Sequence, residues 1–275
     1  MFFKSRKNDL YFIKLFKIVD FKTSKEFNNI SFVRNYIEFI ESKFKLKYNY
    51  FSINYSNKSW KTRNGFFKAL KSKFNNEIVD VLCSDDYLMF SYSNFLLNIK
   101  ENVPQYGSID VYFNIDKDFF DLDSLIIYLQ DGFTNYSFDY GYIAKLTNEY
   151  SLESEKKYKK SIFGGISLES DKDSQFWNQH KYAMKQGFLR KIYPINFLNN
   201  SQLEQKIIKR LKSKKIGQFN KTNSNITMWV LNEKEYEIAI KAFKGSKYLL
   251  ATKDARILLE NTQEALDYKK MTDIG

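Results

Sequence analysis

The chain of 275 residues carries a net charge of +12 and is 43% apolar and 18% aromatic. A chain so rich in aromatic residues can bury a core, which excludes an intrinsically disordered protein. The single cysteine, Cys83, excludes an intrachain disulfide and is typical of a reducing compartment.

The chain begins with mixed basic and apolar residues, MFFKSRKNDLYFIKLFKIVDF. A signal peptide needs about 7–15 unbroken apolar residues, and Lys14, Lys17 and Asp20 interrupt this run. No later window offers the roughly 20 apolar residues of a membrane-spanning helix. We therefore expect a cytoplasmic protein with no targeting segment.

The first 150 residues alternate strand and helix patterns. Apolar spacing and turn residues predict a strand or strand pair over 10–21 and strands over 48–55, 78–83, 87–92, 109–115 and 139–146. They predict helices over 31–44, 60–74 and 122–129. This order predicts an α+β fold, in which helices pack on a largely antiparallel sheet. A ferredoxin-like core is one way to arrange it.

The remaining residues continue the same alternation after a charged segment, 148–160, that we expect to be an exposed loop or helix. The patterns predict strands over 187–194, 226–231 and 248–251, and helices over 201–211 and 233–243. We therefore divide the chain into an N-terminal part, 1–150, and a C-terminal part, 151–275. The two parts either form separate domains or continue as one.

The stretch VLCSDDYLMF places Asp85 and Asp86 between two predicted strands. A reverse-transcriptase-like palm holds two divalent ions on such a hairpin, with a third carboxylate on a neighbouring strand. That strand would be YFNIDKDFFDLD, which here follows the hairpin although it should precede it, and Ile115 stands where the third ligand belongs. The interpretation we favour is a turn, because Ser and Asp side chains bond their own backbone there.

Other chemistries lack the residues they require. The only histidine is His180, so imidazole catalysis or a histidine metal cluster would depend on that one residue. Cys83 follows an apolar strand, which favours a buried inert thiol. Phosphate-binding glycine loops and paired-cysteine zinc motifs are missing from the sequence. We expect neither a cofactor nor a metal.

The basic charge has two interpretations. It can attract an anionic partner, either nucleic acid or an acidic protein. It can also follow from the AT-rich codons of a bacterial or phage gene, which enrich Lys, Asn, Ile, Phe and Tyr together. We expect the lysines to be spread along the chain, which favours the codon interpretation. In KSWKTRNGFFKALKSKF, residues 58–74, the aromatic side chains follow helical spacing and are expected in the core, although nucleic-acid binding stays an alternative.

Residues 177–198, WNQHKYAMKQGFLRKIYPINFL, are followed by a predicted helix and then by ITMWVLNEKEY. This arrangement is similar to immunity-type proteins of bacterial contact-dependent and type VI toxin systems, which carry a run like G-x-x-R-x-(aromatic)-P-x-N-x-L. The resemblance covers about residues 105–250. It implies a protein without catalytic groups that covers a cognate toxin in the cytosol.

The sequence therefore predicts a non-enzymatic protein that acts through a protein–protein surface, most sharply as an immunity-like inhibitor of a toxin or other enzyme. The acidic residues could face a basic toxin cleft, and the lysine surface could face an acidic one. The alternative is a nucleic-acid-binding protein or a metal-dependent phosphoryl-transfer enzyme. The candidate interaction residues are Asp85, Asp86, Asp116, Asp118, Trp177, Arg190 and Tyr193.

Overall fold

A computed structural model of the chain describes twelve stretches of residues. They are residues 10–20, 29–45, 47–53, 59–73, 79–84, 88–95, 106–116, 122–147, 158–160, 166–168, 181–223 and 225–249. The chain divides into two compact units. Unit 1 comprises Met1–Phe12 and Asp139–Gly275, and unit 2 comprises Ile13–Phe138.

Unit 2 contains three helices and six strands among the described residues. They are β1 (Leu10–Asp20, of which the first three residues belong to unit 1), α1 (Asn29–Phe44), β2 (Tyr50–Ile53), β3 (Ser59–Trp60), α2 (Arg63–Lys73), β4 (Val79–Ser84), β5 (Leu88–Phe95), β6 (Tyr106–Asp116) and α3 (Leu122–Tyr136). The strands lie in the order β1-β6-β5-β4-β2-β3. Because β4, β5 and β6 are neighbours in chain order, they form an antiparallel meander. The meander differs from the ferredoxin-like core that was one option for this class.

The helices of unit 2 bury the apolar positions that their spacing predicts. On α1 the buried side chains include Val33, Tyr36, Ile37 and Ile40, which follow the three- and four-residue steps of a helical face. On α2 the ring of Phe66 stacks on Phe51 of β2, with 4.9 Å between the ring centroids. These contacts hold α1 and α2 to unit 2 by apolar burial.

Unit 1 contains the remaining elements. They are β7 (Tyr140–Leu146), β8 (Tyr158–Lys160), β9 (Ile166–Leu168), a 3-10 helix (Lys181–Gln186), β10 (Ile195–Asn199), α4 (Asn200–Leu203), α5 (Lys206–Ser213), β11 (Gln218–Lys221), β12 (Ile226–Val230) and α6 (Glu233–Phe243). Four strands pair antiparallel in the order β11-β12-β10-β7. The strands β8 and β9 pair with each other.

The predicted α+β class is confirmed, since helices and antiparallel strands alternate along both units. The prediction of a helix over 233–243 is confirmed residue for residue. Asn232 and Glu235 form a reciprocal capping box at the start of this helix. Among the described residues, no helix combines the length and apolar character that crossing a bilayer requires. The division near residue 150 stays a prediction.

The predicted strand over 187–194 is wrong. This segment is irregular, and its one ladder contact is an isolated bridge between Leu189 and Leu249. The side chain of Gln202 donates to the Phe188 carbonyl (2.7 Å) and that of Asn196 accepts from the Tyr193 N–H (3.1 Å). Side chains therefore satisfy backbone groups that a neighbouring strand would otherwise pair.

Several other boundaries differ from their predictions. The helix predicted over 201–211 is two helices, because the chain turns at Glu204 and Gln205 between α4 and α5. Trp60 belongs to the short strand β3, not to α2. Part of the charged segment 148–160 forms β8. Of the strand predicted over 248–251, Leu249 forms an isolated bridge, and residues 250 and 251 lie outside the described residues. The strands β10 and β11 were not predicted, since both are short and follow turns.

A buried tryptophan fixes the connection between α5 and β11. Trp229 of β12 is fully buried, and its indole N–H donates to the Ile216 carbonyl (3.1 Å). Its ring stacks on Phe219 of β11, with 5.4 Å between centroids and 15° between planes. Gly217 has a φ of +82°, and a side chain on it would overlap the Trp229 ring. The close approach therefore requires glycine here.

This arrangement predicts that Gly217→Ala destabilises the protein by about 3 kcal/mol or more, because positive-φ strain adds to the overlap with Trp229. Gly245→Ala is the matched control. Gly245 also has a positive φ (+74°), but nothing lies within 4 Å of its added carbon, so its cost should be about 1–2 kcal/mol. Urea unfolding measures both values, and equal losses would contradict the account of Trp229.

Candidate functional site

Four of the seven candidate residues lie outside the described residues. Asp85, Asp86, Asp118 and Trp177 belong to stretches whose placement is not described. Asp116 is the last residue of β6. Within the described part of the chain, no group of three or more His, Cys, Asp or Glu side chains could hold a metal ion. The turn and metal interpretations of the Asp85–Asp86 hairpin both stay predictions.

The other two candidates, Arg190 and Tyr193, lie inside unit 1. Their exposed fractions are 4% and 5%. Arg190 donates through Nη1 to the hydroxyl of Tyr142 (2.7 Å), and the Tyr142 ring stacks flat on that of Tyr193, with 3.8 Å between centroids. Both side chains are therefore buried. Their assignment to a partner contact stays a prediction.

The segment around these residues is held by amide side chains. Asn199 ends β10 and caps α4 through a reciprocal capping box with Gln202. Its side-chain NH₂ also donates to the carbonyls of Asp139 (3.2 Å) and Met184 (3.0 Å). One residue therefore joins β10, α4, the 3-10 helix and the start of β7. The run 187–199 acts as the scaffold of unit 1.

Cys83 lies in unit 2 and is fully buried, as predicted. Burial raises the pKa of its thiol well above the ordinary value, the charge of Glu41 raises it further, and that of Arg63 lowers it. The thiolate is the reactive form of cysteine, so a raised pKa disfavours nucleophilic attack by Cys83.

A basic surface lies on α5, β11 and the turn between them, and we name it the Lys206–Lys221 surface. These sixteen residues contain seven cations and no acidic residue. The cations are Lys206, Lys209, Arg210, Lys212, Lys214, Lys215 and Lys221. All seven are exposed, while Ile208 and Leu211 of α5 are buried beneath them. The amphipathic pattern of α5 therefore turns its charges outward.

The charges of this surface are largely uncompensated. Lys209 forms an ion pair with Glu204, which is itself exposed. No carboxylate among the described residues lies within salt-bridge distance of the other six cations. The surface thus keeps most of its positive potential available to an external anion.

Aromatic packing also supports this surface from beneath. The ammonium group of Lys212 lies over the ring of Phe219, 5.6 Å from its centroid, and that ring rests on Trp229. Strand β11 lies at the end of the strand order in unit 1. The ammonium group of Lys212, the half-buried ring of Phe219 and the buried ring of Trp229 therefore form one stack, which fixes the end of α5 against β11.

Lys215 occupies a position that usually carries glycine. Helix α5 ends with the Lys215 N–H bonded to Lys212 and the Ile216 N–H bonded to Leu211, both at 3.0 Å. This pattern is a Schellman motif, in which the residue at Lys215 adopts a left-handed conformation, here with φ of +55°. A lysine there costs about 1–2 kcal/mol that glycine would not.

The lysines were expected to be spread along the chain, and this expectation is wrong for residues 206–221. The signal was present in the sequence as KIIKRLKSKKIGQFNK, which has no acidic residue. What the sequence did not show is that α5 ends at Ser213 and β11 returns beside it. Lys212 of α5 lies over Phe219 of β11, so the helix and the strand that carry these cations are in contact.

Comparisons with known proteins concern the fold. No protein-family model matches the chain, and no curated protein matches its sequence. Among solved structures, the Pseudomonas aeruginosa T6SS protein PA0821 has a similar fold, with a TM-score of 0.53 at 10% identity. The match covers 96% of this chain and 88% of that one. At this identity the likeness shows a shared fold.

The scaffold role of Asn199 predicts that Asn199→Ala destabilises the protein by about 2–4 kcal/mol, because a helix cap and hydrogen bonds to two carbonyls are lost together. Asn200→Ala changes the adjacent, exposed residue and should cost less than about 0.5 kcal/mol. Thermal and urea unfolding check both. If the two variants lose the same stability, Asn199 is not the joint that its contacts indicate.

Proposed function

We propose that this chain is a non-catalytic binding protein of a bacterial toxin system, which inhibits a cytosolic toxin by covering an acidic part of it. The Lys206–Lys221 surface makes the contact. The proposal unites the immunity-type resemblance of residues 177–198 with the exposed charge of α5 and β11. The fold likeness to a T6SS protein supports a type VI system as the setting.

The observation that carries the proposal is that exposed cations without carboxylate partners lie on a helix and a strand that are packed against buried aromatic rings. Six cations lack carboxylate partners among the described residues, and one of the six, Lys215, stays in a left-handed conformation that glycine would adopt at lower cost. Codon composition explains an abundance of lysine. It does not explain why lysines occupy consecutive exposed positions with no acidic residue among them.

Electrostatic complementarity gives such a surface a physical advantage. A concentrated positive patch steers an acidic partner toward it and rejects basic proteins by like-charge repulsion. Because α5 and β11 are fixed from beneath by Trp229, few side chains other than the lysines themselves must be ordered on binding. This suits an inhibitor that must capture its target quickly.

The test uses the protein encoded beside this chain's gene as the partner. Bacteria that produce the neighbouring protein should stop growing, and co-production of the wild-type chain should restore growth. Lys212→Glu with Lys214→Glu and Lys215→Glu should abolish protection and weaken binding in calorimetry by about a hundredfold. Lys45→Glu with Lys47→Glu and Lys61→Glu makes the same charge change at exposed positions of unit 2 and should retain protection.

Two results would contradict the proposal. Equal protection by the two triple variants would show that the Lys206–Lys221 surface makes no essential contact. Alternatively, the wild-type chain could bind single-stranded DNA with a steep dependence on salt, lose that binding in the Lys212, Lys214 and Lys215 variant, and fail to bind the neighbouring protein. That outcome would favour the nucleic-acid alternative.

A further inference from the structure

A second charged feature lies on unit 2, apart from the Lys206–Lys221 surface. Helices α1 and α2 lie side by side, and between them opens a groove of about 490 Å³, which we name the α1–α2 groove. Its lining includes four cations, one carboxylate and one aromatic ring. They are Arg34, Arg63, Lys68, Lys71, Glu38 and Phe67.

Arg63 lines the groove and is held in place by ion pairs. Its guanidinium forms an ion pair with the buried Glu41, and its Nη2 lies 3.1 Å from Oε1 of Glu38. Glu41 also accepts the backbone N–H of Tyr48 (3.2 Å), which holds the carboxylate in place. Two carboxylates of the protein therefore already offset the charge of Arg63.

The other three cations are not offset. Arg34, Lys68 and Lys71 are exposed, and no carboxylate among the described residues pairs with them. The guanidinium of Arg34 lies over the ring of Phe67, 4.8 Å from its centroid, which favours a flat orientation that can bind a carboxylate through two N–H groups. Lys68 and Lys71 lie one turn apart on α2, with about 5–6 Å between their Cβ atoms.

The groove favours separate carboxylates over a nucleic acid. Phe67 is 7% exposed, and both Arg34 and Arg63 (5.6 Å) lie over its ring, so it cannot serve as a platform for a base. The half-exposed carboxylate of Glu38 would repel a continuous chain of phosphates. An extended peptide places alternate side chains about 6.6–7 Å apart, close to the spacing of Lys68 and Lys71.

We propose that the α1–α2 groove is a second binding site, which takes an extended acidic segment of a protein partner. Two acidic side chains at alternate positions pair with Lys68 and Lys71, and a third carboxylate binds Arg34 through two hydrogen bonds. Glu38 accepts from a backbone or side-chain donor of the same segment. The site is independent of the Lys206–Lys221 surface and goes beyond the proposed function.

The test measures fluorescence anisotropy of a labelled nine-residue peptide of alternating glutamate and serine. The reference is the full chain carrying Lys212→Glu, Lys214→Glu and Lys215→Glu, which removes the basic surface of unit 1 as a competing site. Adding Lys68→Gln and Lys71→Gln should weaken peptide binding about tenfold. Adding Lys234→Gln and Lys241→Gln, exposed positions on α6, should leave the peptide affinity unchanged.

A conservative substitution distinguishes a site of defined geometry from general electrostatic attraction. Arg34→Lys keeps the charge but removes the planar guanidinium, so it should weaken peptide binding about threefold. Thermal unfolding of each variant confirms that the chain is folded.

Three results would overturn the proposal. They are equal weakening by the α2 and α6 pairs, no effect of Arg34→Lys, and equal affinity for a single-stranded DNA oligonucleotide. None of them would bear on the Lys206–Lys221 proposal, because that proposal is tested with variants of unit 1.

Discussion

Repulsion among neighbouring lysines is the constraint on which the candidate surface depends. Like charges at close spacing oppose the folded state, and burial beneath them must offset that repulsion. Ile208 and Leu211 anchor α5, while Trp229 bonds to Ile216 and supports the ring of Phe219. The surface is therefore a set of uncompensated charges held in place by apolar contacts and one indole hydrogen bond.

In unit 1, the residues that hold the fold together differ from the residues that present the charge. The run 187–199 supplies polar contacts through Arg190, Asn196 and Asn199. These residues determine how β10 lies between β7 and β12. The exposed lysines beyond them are not required for that packing. Recognition can thus change by surface substitution while the scaffold stays constant.

The sequence predicted what depends on local pattern. Local patterns located α1 and α6. It did not predict the strands β10 and β11, because both are short and follow turns. It did not predict the irregular course of 187–194, because side chains outside that segment, such as Gln202, satisfy its backbone. The basic surface was missed although its cations lie close together in the sequence. The sequence did not show that α5 ends at Ser213 or that Lys212 lies over Phe219 of β11.

The most direct measurement is the free energy of unfolding as a function of salt, for the wild-type chain and for Lys212→Gln with Lys214→Gln and Lys215→Gln. Salt screens repulsion between exposed charges, and the screening length falls from about 30 Å at 0.01 M to about 3 Å at 1 M. If the surface holds uncompensated charge, salt should stabilise the wild-type chain clearly more than the variant. Equal stabilisation of the two proteins would show that these lysines do not repel one another, and would contradict the account.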